Sequence, residues 1–316
     1  MKIFLDSKMH IMIQRLIPIW KEMGHDISQD PKGCDVQLSL VSIKQNSGLP
    51  IVTRLDGIYY DKAIAFTKKN LPISKAHVIS KGLIYQSNLS KNMCEKYLAE
   101  KTTSNFDIIY NGIQNKWCGE FEKHEGINII TSAKWRRWKR LEEIISIFLE
   151  FNKYVPNSKL HIFGKLHNNK IIDNKNLIYY GMTKFKDMSK IYKIGDMFIH
   201  LAKNDPCPKT VVEAIGAGIP VVTSLACGGA TEMSLMTKGC IICKGDKINT
   251  DPDYVYQDNW NYVSDELRSR MIKSMILISK DKRRVELPYE LNVKNTAIKY
   301  LKVMENCNEI YRKENR

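Results

Sequence analysis

The sequence predicts an α/β protein made of two open, parallel-sheet domains in series, followed by a helical tail. Short β-rich apolar runs alternate with longer stretches of helical period, the pattern of a parallel sheet wrapped by helices. The alternation pauses over residues 112–126, where charge and glycine mix with few apolar side chains, and then resumes as a second series. A length of 316 residues suffices for two domains that each bury a core.

In the first series the strands are expected at 2–5, 36–41, 51–55, 77–79, 83–86 and 107–110. Helices are expected at 10–23, closed by Gly24, and at 89–99, where Ser87 and Asn88 mark the start. The second series places strands at 128–132, 160–163, 177–180, 197–201, 220–224 and 240–243. Its clearest helix is 140–152, where Leu141, Ile144, Ile145, Phe148 and Leu149 repeat at i, i+3, i+4, i+7 and i+8 and must face a sheet. Further helices fit 187–194 and 209–217, the latter following two prolines and ending at Gly218. Residues 246–261 are polar and turn-rich, and helical periods return at 265–279 and 292–311. The expected boundaries are 1–120, 121–290 and 291–316, with the last helix packing back toward the first domain.

Composition narrows the class. With 43% hydrophobic and 26% charged residues the chain is neither disordered nor fibrous, and it contains no internal repeat. No window holds the 18 or so apolar residues of a membrane span. The short apolar run Ile3-Phe4-Leu5 before Asp6 and Lys8 is too short for a secretory signal and reads as part of a first strand. Eight scattered cysteines without an export signal point to reduced thiols and a cytoplasmic setting. Only Cys240-Ile-Ile-Cys243 has a metal-like spacing. In a strand its two thiols point to opposite faces, and no second pair completes a ligand set, so no metal is expected. The net charge of +15 is the feature that asks for a partner.

In open α/β sheets ligands lie beyond the carboxyl ends of the strands, so the loops there are the first candidates. After 128–132 comes Ala133-Lys134-Trp135-Arg136-Arg137-Trp138-Lys139-Arg140, five cations with no acid, opening into the positive end of a helix. A phosphate would satisfy the cations and the unpaired N–H groups together; the plain alternative is a solvated basic loop with its indoles in the core. After 197–201, Asp205 stands ahead of a helix, and Glu213 lies within it among Val211, Val212, Ala214 and Ile215. A carboxylate in such company needs hydrogen-bond donors, which paired hydroxyls supply, unless it simply faces solvent. Gly228-Gly229 after 220–224 permits close backbone approach to a ligand, and Arg54-Leu55-Asp56-Gly57 ends a first-domain strand; ordinary turns explain both equally well.

The segment from Asp205 to Glu232, DPCPKTVVEAIGAGIPVVTSLACGGATE, resembles the donor-site signature of retaining glycosyltransferases of the GT-B fold, family 4. Two acids separated by seven residues, a Gly-x-Pro-Val-Val strand and a Gly-Gly turn with a Glu appear in the family's order. Lys139 before the second domain's first helix, Leu160-His161-Ile162-Phe163-Gly164, Tyr110-Asn111-Gly112-Ile113 and Gly24-His25-Asp26-Ile27 are similar to further family segments. The resemblance implies two Rossmann-like domains facing across a cleft and a metal-independent transfer of sugar from a nucleotide-diphosphate sugar to a glycan, lipid or other hydroxyl acceptor. It implies that Glu213 binds the ribose, Lys139 the diphosphate, and Asp205 with the Gly228-Gly229 backbone the transferred sugar, with Gly164 also on the donor side. It implies no separate cofactor.

Departures are specific. Asp205 replaces the family's Glu and is one methylene shorter. The second phosphate cation falls on Lys134 or Arg136. The loop Asp6-Ser7-Lys8-Met9-His10 lacks the family's glycines, and Asp56 stands where a His is usual, as an acceptor-side carboxylate. An epimerase or phosphorylase on the same scaffold and a basic nucleic-acid-binding protein are the competing readings. Residues 1–122 hold 16 cations against 12 acids and 123–316 hold 33 against 22. The acceptor-side domain is therefore not the more basic one, and nucleic acid is not the expected partner. The diffuse excess suits an anionic surface or peripheral membrane contact.

Overall fold

Among the described residues of the computed structural model every strand pairing is parallel, which explains why most strands read as unbroken apolar runs buried on both faces. The structure describes residues 1–6, 11–59, 66–166, 171–251 and 262–315. They form two units, Met1–Ile113 with Tyr289–Arg316, and Gln114–Pro288.

In the first unit β1 (Lys2–Leu5), β2 (Asp26–Ser28), β3 (Val36–Leu40), β4 (Ile51–Leu55), β5 (Gly82–Tyr85) and β6 (Phe106–Ile108) lie in the order β2-β1-β3-β4-β5-β6. Helices α1 (Ile11–Glu22), α2 (Phe66–Ile79) and α3 (Asn88–Tyr97) connect them. Ser87 caps α3, its side chain accepting from the Ser90 N–H. The segment expected as a strand at 77–79 is instead the last turn of α2. The error has a physical cause: polar side chains occupy the buried face of this helix. Asn70 exchanges two 2.8 Å hydrogen bonds with the backbone of Tyr59, and His77 is held at 2.7 Å by both Ala99 O and Tyr85 Oη. Satisfied polar groups can be buried, but they erase the apolar period. Residues 7–10 of the first loop lie outside the described residues.

The second unit orders β7 (Ile127–Ser132), β8 (Ser158–Phe163), β9 (Leu177–Gly181), β10 (Met197–His200), β11 (Val221–Ser224) and β12 (Ile241–Cys243) as β12-β11-β10-β7-β8-β9. The helices are α4 (Leu141–Tyr154), α5 (Phe185–Tyr192), α6 (Lys209–Gly216), α7 (Gly229–Leu235) and α8 (Asp265–Asp281). The α4 stripe buries Leu141, Ile144, Ile145 and Phe148 as its spacing predicts, together with Ile147 and Phe151. Leu149 is only partly buried, because α8 packs on the other flank, where Arg268 bonds Glu143 at 2.7 Å. Of the turn-rich stretch 246–261, residues 252–261 lie outside the described residues.

The final helix, α9 (Val293–Glu314), belongs to the first unit. Tyr300, Leu301, Val303, Met304 and Cys307 enter the same core as Ile3, Leu38, Val52 and Ile84, and Trp20 of α1 donates to Ala297 O at 3.0 Å.

Candidate functional site

The strand order of the second unit reverses direction at β7. From there the chain steps outward through β8 and β9, then returns to the other side of β7 as β10. The loops after β7 and β10 must diverge over the sheet edge at this point, which leaves a crevice where open α/β sheets place their ligands. The strongest pair of sequence candidates meets there. Lys139, from the loop after β7, forms an ion pair through Nζ with Asp205 Oδ2, from the loop after β10.

Backbone geometry builds this meeting. Arg137–Lys139 form a single 3₁₀ turn, and Arg140 then takes a left-handed conformation, φ 55°, at the cap of α4. Arg140 is buried, and its guanidinium bonds Asp246 Oδ2 at 3.2 Å. Asp246 also accepts from Ser224 Oγ at 2.9 Å and from the Ala226 N–H at 3.1 Å. This cation is therefore committed to holding the β12 loop. Trp135 is likewise structural: it is buried and donates from Nε1 to Phe163 O at 2.8 Å. Lys134, Arg136 and Arg137 are exposed, with the Arg136 guanidinium 5.2 Å from the Trp138 ring centre.

Opposite, the loop after β10 turns through Asn204, also left-handed at φ 50°, which donates to Asn249 O at 2.7 Å. Asp205 O accepts from the Gly229 N–H at 2.8 Å, and a Cβ on Gly229 would stand 1.9 Å from Pro206 O. The second glycine of the pair is thus required by the protein's own backbone, and its N–H is used internally. Gly164 has the same character. Its φ is 105°, and a Cβ there would meet Ala133 O at 1.8 Å, so the β8 loop can lie directly on the β7 loop only without a side chain.

Glu213 is on the interior of α6, and only 6% of it is exposed, which excludes the solvent-facing alternative. Its carbonyl accepts from Trp117 Nε1 at 2.6 Å, tying the helix to an indole that stacks on Phe185 and meets the Tyr192 ring edge-on.

Electrostatics single out the crevice. Burial alone raises the Asp205 carboxyl, but Lys139, His200 and the Cys207 N–H overcome that, so it lies below the ordinary carboxylate range. Burial pushes His200, at the end of β10, down to about 4, with Asp205 opposing and Lys139 reinforcing, so the imidazole is neutral at pH 7. Burial also pushes Lys203 down to about 8, with Arg140 adding to the effect and Asp246 opposing it. Lys203, Asp246, Lys247, Asn249, Tyr262 and Ser264 line a cavity of about 280 Å³. Sequence reasoning missed His200 and Lys203. The available signal was a polar residue closing the otherwise apolar run Met-Phe-Ile-His.

Asp56 lies in the first unit, just beyond β4, with 44% of its side chain exposed. It pairs with the buried Arg54 at 3.3 Å and accepts from Gln86 Nε2, while Asn111 donates to Gln86 Oε1 at 3.1 Å. The first unit thus presents a carboxylate on a network drawn from the ends of β4, β5 and β6. Of the cysteines flagged by spacing, Cys243 is buried, Cys240 partly so, and both are free. Among the described residues no cluster could hold a metal ion.

Residues 118–274 match the family model for glycosyl transferases group 1. The alpha-monoglucosyldiacylglycerol synthase of Acholeplasma laidlawii is 30% identical over 101 residues, 29% of this chain and 25% of that protein. The GtfA subunit of a UDP-N-acetylglucosamine–peptide N-acetylglucosaminyltransferase from Streptococcus agalactiae is 23% identical over 108 residues, 33% of this chain and 21% of that one. The chain thus aligns with about a quarter of the length of these relatives. Among solved structures, Anabaena Alr3699/HepE in complex with UDP and glucose superposes with a TM-score of 0.61 at 13% identity, covering 96% of this chain and 99% of the other. WaaG, a glycosyltransferase involved in lipopolysaccharide biosynthesis, gives 0.58 at 12% identity, over 90% and 94%. At such identities the likeness concerns the fold, and it matches the two Rossmann-like units of GT-B proteins.

Proposed function

Residues 118–274 form a domain of the glycosyl transferases group 1 family, and from that premise we propose that the chain is a retaining glycosyltransferase using a nucleotide-diphosphate sugar. The observation that carries this reading is the Lys139–Asp205 pair at the strand-order switch of the second unit. In this reading Lys139 turns to the diphosphate, assisted by Lys134 or Arg136 from the exposed part of the same loop. As the bond from sugar to phosphate lengthens, negative charge gathers on the leaving diphosphate and positive charge on the sugar ring. An ammonium in a largely buried site stabilises that charge in the transition state. Glu213 takes the ribose hydroxyls, and Asp205 contacts the transferred sugar with the Gly228-Gly229 turn, through groups other than the Gly229 N–H, which already bonds Asp205 O.

The positive charge comes from side chains, so chelation is expected to leave turnover unchanged. The acceptor is a hydroxyl of a glycan, lipid or related molecule, with Asp56 on the acceptor side. The name of the Acholeplasma relative, a diacylglycerol glycoside synthase, supports a lipid acceptor as one member of that class.

Thermal-shift screening against UDP-, GDP-, dTDP- and ADP-sugars tests the proposal. One donor should stabilise the protein selectively, and Glu213→Ala should remove that shift. A folded protein indifferent to all four would refute donor binding, and an unchanged shift in Glu213→Ala would refute the ribose assignment.

A further inference from the structure

Asp205 has a second neighbour that the reading above leaves unused. The His200 side chain is 4% exposed, its Nε2 lies 3.7 Å from Asp205 Oδ2, and that nitrogen has no hydrogen-bond partner among the described residues. A buried imidazole nitrogen just beyond bonding distance of a carboxylate is unexplained by packing alone, because a buried polar atom without a partner is costly. The carboxylate is largely buried too, with 12% of its side chain exposed, and is held by Lys139 and by the Cys207 N–H. Among the described residues, Lys139 and His200 are the side chains that act on its charge.

When Lys139 turns to a diphosphate, Asp205 loses its cation in a site poor in water. An ionised carboxylate left there would take up a proton or resist the exchange. We propose that His200 is a positioning residue that takes over Asp205: as Lys139 leaves, Nε2–H closes the gap and donates to Oδ2, keeping the carboxylate ionised and aimed while the lysine works on the diphosphate. The inference rests on the donor-site reading in assigning Lys139 to the diphosphate, but the exchange of partners can be tested without any donor. A neutral imidazole suits the role, since it offers a hydrogen bond without adding a charge that would compete with Lys139.

Two experiments decide it. The first is a crystal structure of the Lys139→Met variant with no ligand. The His200 Nε2 to Asp205 Oδ2 distance should contract from 3.7 Å to hydrogen-bond length, about 2.8 Å. A gap that stays open, or an Asp205 that turns to another group, overturns the proposal whether or not the protein binds donors.

The second compares His200→Leu with His200→Gln, whose side-chain amide can supply the same donor. The probe is whichever of UDP, GDP, dTDP or ADP the wild-type protein binds by calorimetry. His200→Leu should bind it about tenfold more weakly near neutral pH, a loss of about 1.4 kcal/mol, and regain affinity as the pH falls, because Asp205 then protonates on binding. His200→Gln should stay within about threefold and show the wild-type pH dependence. Wild-type affinity and pH dependence in a folded His200→Leu variant would overturn the proposal. If none of the four diphosphates binds the wild-type protein, the donor reading fails, and the Lys139→Met structure still judges the exchange.

Discussion

Arg140 shows how one residue can combine a local cost with a longer-range gain. A left-handed backbone costs an ordinary L-residue roughly 1–2 kcal/mol, so Arg140→Gly would relieve strain at φ 55°. The same change strips Asp246 of its cation, and removing one partner of a buried pair typically costs about 3–5 kcal/mol. Ser224 and Ala226 still donate to Asp246, which softens that loss. Arg140→Gly should therefore destabilise the protein by about 1–3 kcal/mol, measured by urea unfolding. Gly164→Ala meets both a positive φ and a contact of 1.8 Å, and should cost at least about 2 kcal/mol. Lys139→Ala is expected to fold and to lose turnover by about two to three orders of magnitude, read in a transfer assay once the donor is known. Activity near wild type would remove Lys139 from the chemistry.

Elements assemble the site by different routes. The loop after β7 is placed by α4, whose apolar stripe is plain in the sequence and anchors it from residue 141 onward. The loop after β10 is placed by backbone approach, with Gly229 against Pro206 O and Asn204 in a left-handed turn. Those contacts join positions distant in the chain, so periodicity could not show them. In the first unit α2 shows no apolar period because hydrogen-bonded Asn70 and His77 fill its buried face. Helix α9, by contrast, has a clear apolar period, and its packing completes the core of the first unit. Met304, wholly buried there, should cost about 2–5 kcal/mol when changed to Ala. Hydrogen exchange should locate that loss in the first unit, and exchange raised equally in both units would contradict the placement.

At the scale of the whole molecule, buried histidines set the response to acid. Burial holds His161 and His200 down at about 4 and also lowers His77. The unfolded chain binds protons at these rings below about pH 6.5, before the folded protein does. The contribution of these rings to stability is therefore present in full above pH 6.5 and falls between about 6.5 and 4. His161→Gln should flatten that fall, measured as the urea midpoint against pH; an identical slope would show that this ring does not contribute. The +15 charge belongs to the same scale. If the diffuse excess serves an anionic surface, the protein should sediment with vesicles of phosphatidylcholine and phosphatidylglycerol, release with salt, and ignore phosphatidylcholine alone. Among the described residues no helix is long and apolar enough to cross a membrane.

By itself the sequence determined the α/β class, most strands, the strong helices, the cation-rich loop and the spaced acids Asp205 and Glu213. Each is a local pattern, legible because periodicity, capping and charge runs act over a few residues. Only the tertiary structure decided that Lys139 meets Asp205, that Arg140 is spent on Asp246, that Glu213 is buried, and that His200 waits beside the carboxylate. These relations depend on strand order. The sheet brings the ends of β7 and β10 together across nearly seventy residues, and no local pattern records which strand will become the neighbour of which.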